Sequence, residues 1–104
     1  LLKRPNRPTA IFAGSDLQAM GVYEAARQLG LRIPEDLSVV GFDDVQTAAF
    51  LGPALTTVRQ PLQDMARAAV RMLVEALSTD DVIQPHIIMP TSLVVRNSTQ
   101  QLEG

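Results

Sequence analysis

Cysteine is absent from this sequence of 104 residues. A chain without cysteine forms neither a disulfide scaffold nor a thiolate metal site. The absence suits a reducing compartment, so we expect a cytoplasmic protein. Hydrophobic residues make up 46% of the chain, which is ordinary for a protein that folds around an apolar core. The length leaves room for one small domain.

Positive charge is not in excess either. Nine lysines and arginines stand against eleven aspartates and glutamates, for a net charge of −2. A protein that binds DNA or RNA on its own surface usually carries a basic patch that neutralises phosphates. We therefore expect this segment to make no direct contact with nucleic acid.

Long apolar runs are missing as well. None approaches the roughly 18 residues that cross a membrane, and the start, "LLKRPNRPTA", lacks the apolar core of about 7–15 residues found in signal peptides. We expect no membrane partner. The sequence does not begin with Met, so we expect a piece of a longer protein.

Residues for catalysis are scarce. The only lysine is Lys3, no glycine-rich phosphate loop is present, and the single histidine, His86, has no nucleophile or metal partner near it in sequence. The serines lie in turns, caps and the tail, outside any nucleophile elbow. We therefore predict no catalytic residue, no metal site and no cofactor, which means that the protein is not an enzyme.

The first half of the chain has the pattern of a β-α-β unit. Residues 1–8 are polar, carry two prolines and are predicted to be a linker. "TAIFAG" (9–14) and "SVVGF" (38–42) are short apolar runs typical of buried strands. Between them, "SDLQAMGVYEAARQLG" has helical periodicity, with Ser15 or Asp16 as its N-terminal cap. The pattern predicts a Rossmann-like α/β fold, in which a parallel sheet is flanked by helices.

The second half holds one strong helix and several extended runs. A short helix is predicted at 44–50, an extended run at 56–61, and a long helix at 62–78 with one continuous apolar stripe. "HIIMP" (86–90) and "TSLVVR" (91–96) have strand-like composition. A single β-α-β unit offers little sheet to cover that stripe. The stripe therefore requires either a missing part of the parent protein or a second copy.

Polar side chains follow both strands of the β-α-β unit. Ser15 and Asp16 come after the first strand, and Asp43 and Asp44 after the second. Ligands of open parallel sheets bind beyond the carboxyl ends of the strands, and carboxylate and hydroxyl groups there suit the hydroxyls of a sugar. Two alternatives stay open at this point. The acids are either caps and turn residues, or a magnesium site of a phosphoryl-transfer enzyme built on Asp43 and Asp44.

A family resemblance rests on two longer motifs. "IPEDLSVVGFDD" followed by "PALTTVRQP" resembles the effector-binding core of lactose-repressor-like (LacI/GalR family) transcription regulators, and "HIIMPTSLVVRNST" is similar to the end of the same core. The resemblance covers roughly residues 8–99. The family shares its fold with type I periplasmic sugar-binding proteins, so a partial domain of that fold is expected here.

The resemblance implies an arrangement of two α/β subdomains, joined by three crossing strands, with effector in the cleft between them. Residues 9–57 and about 92–100 would belong to the second subdomain and residues 58–91 to the first, within a C-terminal portion that spans 9–104. The family's helix-turn-helix domain would precede this segment. A homodimer would contact operator DNA only through that absent domain.

Site residues follow from matching positions in the family. Asp43 matches the carboxylate that bonds effector hydroxyls, Ser15 and Asp16 match neighbouring polar contacts, and Phe42 lies beside them. The resemblance implies a subunit interface at Met20, Tyr23, Phe50 and Leu51.

Two family functions fit these residues. The resemblance implies a ligand-sensing and dimerisation region of a bacterial repressor, which responds to a sugar or a related small polar effector and controls operator binding allosterically. A periplasmic sugar-binding protein of a transport system is the alternative.

Overall fold

The structure of the protein is a computed structural model that describes residues 1–78 and 86–102. Its described elements, in chain order, are β1 (Ala10–Phe12), α1 (Asp16–Gln28), β2 (Ser38–Asp43), a 3₁₀ helix (Gln46–Phe50), β3 (Thr56–Arg59), α2 (Leu62–Ser78) and β4 (Ser92–Val94). Chain contacts divide the protein into two compact units. The first comprises residues 1–59 and 92–104, and the second comprises residues 60–91.

The first unit is a four-stranded sheet in the order β1-β2-β3-β4. The strands β1, β2 and β3 run parallel, and β4 is antiparallel to β3. The prediction of an α/β fold with a mainly parallel sheet is confirmed. The strands of the predicted β-α-β unit are neighbours, as expected for a parallel pair joined by a helix.

The core of the first unit lies between α1 and one face of the sheet. Its buried apolar residues are Ala13, Ala19, Ala26, Leu37, Val39, Ala48 and Leu55. Small alanines on α1 let the helix come close to the strands. Gly41 marks the closest approach, because a Cβ built there would collide with Oδ1 of Asp16 and with the Leu55 side chain. The start of α1 is thereby fixed against the end of β2.

The polar tail after β4 also belongs to this unit. Ser98 is fully buried: its hydroxyl donates to the carbonyl of Val39 at 2.5 Å and accepts from the amide of Thr56 at 2.8 Å. The tail is polar in composition. The Ser98 hydroxyl thus bonds backbone groups of two neighbouring strands, and this is how a polar segment packs without apolar side chains.

The second unit contains α2, whose bounds agree with the predicted helix. None of its residues is buried, and the exposed apolar side chains on it include Leu62, Leu73 and Leu77. The predicted strand at 86–90 is wrong, since these residues form no ladder. Apolar composition does not make a strand without a hydrogen-bonding partner, and Pro90 has no N–H to offer one.

Candidate functional site

The turn that follows β2 has an unusual backbone. Asp43 and Asp44 both have positive φ angles, of 119° and 56°. Residues other than glycine rarely adopt this region, and the strain costs roughly 1–3 kcal/mol per residue. Such a conformation persists only where surrounding contacts hold it.

Asp44 is held by two arginines. Its Oδ2 accepts a bond from Nε of Arg59 at 2.7 Å, and its Oδ1 accepts one from Arg96 at 2.7 Å, while only 9% of the side chain is exposed. Burial raises the pKa of the Asp44 carboxyl, but the bonds from the two guanidinium groups outweigh it and hold the pKa below its usual value. Asp44 is therefore an ionised carboxylate with both oxygens bonded.

Asp16 holds the same turn from the other side. It has no exposed surface, and its carboxylate accepts bonds from the Thr57 hydroxyl at 2.6 Å and from the Val45 amide at 2.8 Å. The Thr57 hydroxyl in turn accepts from the amide of Asp44 at 3.3 Å. Both oxygens of Asp16 are bonded within the unit. Asp16 thus orders the turn and offers no surface to an effector.

Ser15 is the N-cap of α1. Its hydroxyl accepts from the amide of Gln18 at 3.1 Å, and the Gln18 side chain accepts from the amide of Gly14 at 3.0 Å. The first bond satisfies an amide of the first helical turn, and the second ties the residue before the cap to the same glutamine. A serine hydroxyl that accepts one bond still has its own hydrogen to donate, and Ser15 is partly exposed.

Asp43 is the last residue of β2 and is partly exposed. The bond between Asp16 and Val45 brings the start of α1 to the end of β2, so Ser15, Asp16 and Asp43 lie at the same edge of the sheet. Phe42 is also partly buried, but strand alternation puts it on the face opposite Val39 and Gly41. The structure therefore gathers three of the four predicted contacts on the α1 side of the sheet.

The residues predicted for a subunit interface lie on and near α1. Met20 and Tyr23 line a groove of about 510 Å³ that extends to Gly52 and Pro53. The Tyr23 hydroxyl donates to the carbonyl of Pro53 at 2.8 Å, and burial raises the pKa of this phenol. Phe50 is 81% exposed, whereas Leu51 packs against the core.

Three residues of this site were not predicted. These residues, which hold the turn, are Thr57, Arg59 and Arg96. The sequence marks them only as polar side chains within the apolar runs "LTTVR" and "SLVVR". That signal does not identify a bonding partner, because the partners lie 15 to 52 residues away in the chain.

The arrangement suits binding better than magnesium chemistry. Mg²⁺ takes carboxylate oxygens as ligands, but both oxygens of Asp44 are occupied by arginine. Over residues 1–78 and 86–102, no three acidic or histidine side chains gather as metal ligands. No helix among the same residues has the length and hydropathy to cross a bilayer.

Comparison with known proteins adds the family context. Residues 1–99 match the family model of the periplasmic binding protein-like domain. The chain is 52% identical over 93 residues to an HTH-type transcriptional regulator in the aml 5′ region of Streptomyces limosus, covering 89% of this chain and 26% of that protein. It is 47% identical over 96 residues to the HTH-type transcriptional regulator MalR of Streptomyces coelicolor, covering 92% and 28%. The chain thus spans less than a third of either relative.

Solved structures of similar proteins have the same fold. The regulator CelR in complex with cellobiose superposes with a TM-score of 0.87 at 36% identity, over 93% of this chain and 30% of that one. A LacI family regulator of Enterococcus faecium with bound ribose superposes with a TM-score of 0.87 at 28% identity, over 94% of this chain and 37% of that one. A LacI family regulator of Lactobacillus casei with bound sucrose superposes with a TM-score of 0.77 at 35% identity, over 89% of this chain and 34% of that one.

Proposed function

Because the chain belongs to the family of periplasmic binding protein-like domains, in the form found in LacI-type transcriptional regulators, we propose that it is the C-terminal part of a regulator's effector-binding domain. Its effector is a sugar or a related small polyol. Binding changes operator affinity through the rest of the protein, and the segment itself catalyses no reaction. Cellobiose, sucrose and ribose in the three similar structures support a sugar.

One observation carries the proposal. The turn after β2 is fixed by Asp16, Thr57, Arg59 and Arg96, while Asp43 is left partly exposed at the carboxyl edge of parallel strands. A carboxyl group carried by a backbone that is already fixed accepts bonds from a pair of sugar hydroxyls with little further loss of backbone freedom. Asp43 is therefore the principal contact in the proposal, and Ser15 is a second one.

The proposal extends to the parts of the protein around this site. Residues 1–8 form a linker, residues 9–57 and about 92–100 form one subdomain, and residues 58–91 contribute to the other. The division of the chain into two compact units supports this assignment. The protein is a cytoplasmic homodimer with an interface that includes Met20 and Leu51, and it contacts operator DNA through a domain outside this segment. The transport alternative is not retained, since the relatives named above are regulators.

The test is Asp43→Ala in the full-length protein. Cellobiose, sucrose and ribose are titrated by calorimetry, and operator release is followed by gel shift. Removing a charged hydrogen-bond partner costs about 1.5–3 kcal/mol, so we expect sugar affinity to fall by roughly 10- to 100-fold.

Glu35→Ala is the control, because Glu35 is an exposed carboxylate three residues before β2, at the opposite edge of the sheet. Its affinity should equal that of the wild type. An unchanged sugar affinity in Asp43→Ala would remove Asp43 from the site. Failure of the wild type to bind any of the three sugars would contradict the sugar class.

A further inference from the structure

The chain passes between its two units at two places, which lie side by side in the sheet because Arg59 pairs with Ser92. The strand β3 ends at Arg59, which is the last residue of the first unit before residues 60–91. The chain returns at Ser92, where β4 begins. These two strands are the covalent connections between the units.

A single carboxylate bonds a residue on each of the two chain segments that lead to and from the second unit. One oxygen of Asp44 bonds Arg59, at the end of β3, and the other bonds Arg96, two residues after β4. Arg96 is fixed in turn, because it also donates to the carbonyl of Leu55 at 2.8 Å and only 17% of its side chain is exposed. Arg59 is 57% exposed and has more freedom to move.

Asp44 also fixes the backbone next to Asp43, the proposed effector contact. Asp44 has φ of 56° and follows Asp43, whose φ is 119°. The Asp44 amide donates to Thr57, so the main chain and the side chain of Asp44 are both bound to β3 or its neighbours. A shift of β3 therefore acts on Asp43 directly, through the pairing of Asp43 with Arg59, and also through Asp44. A shift of the segment that carries Arg96 acts on Asp43 through Asp44.

We propose that Asp44, clamped by Arg59 and Arg96, is a positioning residue that couples effector binding at Asp43 to the two strands through which the chain passes between its units. The inference rests on the proposed function, since it takes Asp43 as the effector contact. Coupling requires that the effector interact differently with two states of the protein. The clamp supplies that difference, because the position of Asp43 depends on where β3 and the end of β4 lie.

The main experiment measures coupling in the full-length protein. Affinity for the best binder among cellobiose, sucrose and ribose is determined with and without operator DNA, and the ratio of the two affinities is the coupling factor. We expect Asp44→Asn and Arg96→Gln each to lower this factor at least fivefold, toward the bottom of the usual range for allosteric proteins, while sugar binding stays measurable. Arg96→Lys keeps the charge and should restore part of the coupling.

The control is Arg27→Gln, which breaks a bond of the same type. Arg27 pairs with Glu24 on the exposed side of α1, at 2.7 Å. Its coupling factor should match the wild type. The double variant Asp44→Asn/Arg96→Gln should be no worse than either single variant, because residues that act through one another are not additive.

A second measurement needs no ligand. Amide hydrogen exchange of residues 43–45 should be faster in Asp44→Asn than in the wild type, and unchanged in Arg27→Gln. Unchanged exchange in Asp44→Asn, or full coupling in Asp44→Asn and Arg96→Gln, overturns the inference. If Asp43→Ala abolishes sugar binding while both clamp variants behave as the wild type, only this inference fails. If Asp43→Ala binds sugar normally, the proposed effector contact is contradicted, and this inference loses its premise.

Discussion

At the scale of single residues, the buried carboxylate of Asp16 is the most demanding feature. A buried charge without partners is unstable in a protein interior, so its hydrogen bonds are obligatory. The Thr57 hydroxyl donates one of them and at the same time accepts a hydrogen bond from the amide of Asp44. The hydroxyl of Thr57 thus joins the start of α1 to the turn after β2.

Thr57→Val tests this role, since valine keeps the shape of threonine and removes the hydroxyl. It leaves one oxygen of Asp16 and the amide of Asp44 without that partner. Hydrogen bonds to charged groups contribute about 1.5–3 kcal/mol, so we expect a loss of that size in the free energy of unfolding, measured by urea denaturation. Thr57→Ser keeps the hydroxyl and should lose about 1 kcal/mol or less. Equal losses in the two variants would contradict the hydrogen-bond explanation.

Asp44 makes the stability of the protein depend on pH. Its pKa in the folded protein lies below the usual value because bonds from Arg59 and Arg96 outweigh the effect of burial. The unfolded chain therefore binds a proton first as the pH falls, near the ordinary aspartate pKa of about 3.9. The stability from this group is fully present above that pH and is lost as the pH falls through the lower, folded value.

We expect Asp44→Asn to be less stable than the wild type at pH 7 and to show a shallower fall of stability below about pH 4. Urea unfolding from pH 7 to pH 2.5 measures both. Asp64→Asn is the control, because Asp64 is 69% exposed and lies 3.9 Å from Arg67, and exposed pairs contribute little. Identical pH profiles for Asp44→Asn and the wild type would show that the two arginines do not stabilise the ionised form.

At the scale of elements, periodicity predicted the helices better than the strands. The bounds of α2 follow from a regular apolar stripe, and those of α1 from Ser15 at its start and Gly30, with φ of 70°, after its end. The run at 86–90 has the same apolar composition as a strand but forms none. Strand formation depends on a partner that is distant in sequence, which composition does not reveal.

The contact between α1 and β2 explains the glycine of "VVGFDD". Gly41→Ala places a methyl group against Asp16 and Leu55. Overpacking of a filled core costs typically 1–3 kcal/mol, so we expect the free energy of unfolding, measured by urea denaturation, to fall by about that amount. Gly21→Ala in α1 is the matched control: nothing lies within 4 Å of its added Cβ, and it should stabilise the helix by about 0.5–1 kcal/mol. A neutral or stabilising Gly41→Ala would mean that the helix does not approach the strand this closely.

At the scale of the whole molecule, the site illustrates what a sequence reveals. Asp43 and Ser15 were predicted because both follow apolar strands, and a parallel sheet brings such positions to one edge. The clamp around them was missed, because Arg59 and Arg96 bond an aspartate 15 and 52 residues away. Local patterns predict which elements form and which edge carries a site. The contacts that fix the geometry of the site depend on the assembled sheet.

Several apolar side chains of α2 are exposed. Leu62, Leu73 and Leu77 are 57%, 60% and 80% exposed, and an amphipathic helix in water normally buries such a stripe. In the relatives, this segment is less than a third of the protein. We expect the 104-residue chain on its own to self-associate and to bind a hydrophobic dye, whereas the full-length protein binds little dye.

Leu73→Lys should reduce both self-association and dye binding of the 104-residue chain, because it places a charge in the middle of the stripe. Ser78→Lys adds the same charge at the end of the helix, where Ser78 bonds the carbonyl of Val74, and should change neither. Light scattering coupled to size exclusion measures the mass of each variant. A monomeric wild-type chain without dye binding would show that the stripe is covered within the chain itself. It would also remove the reason to assign α2 to a larger subdomain.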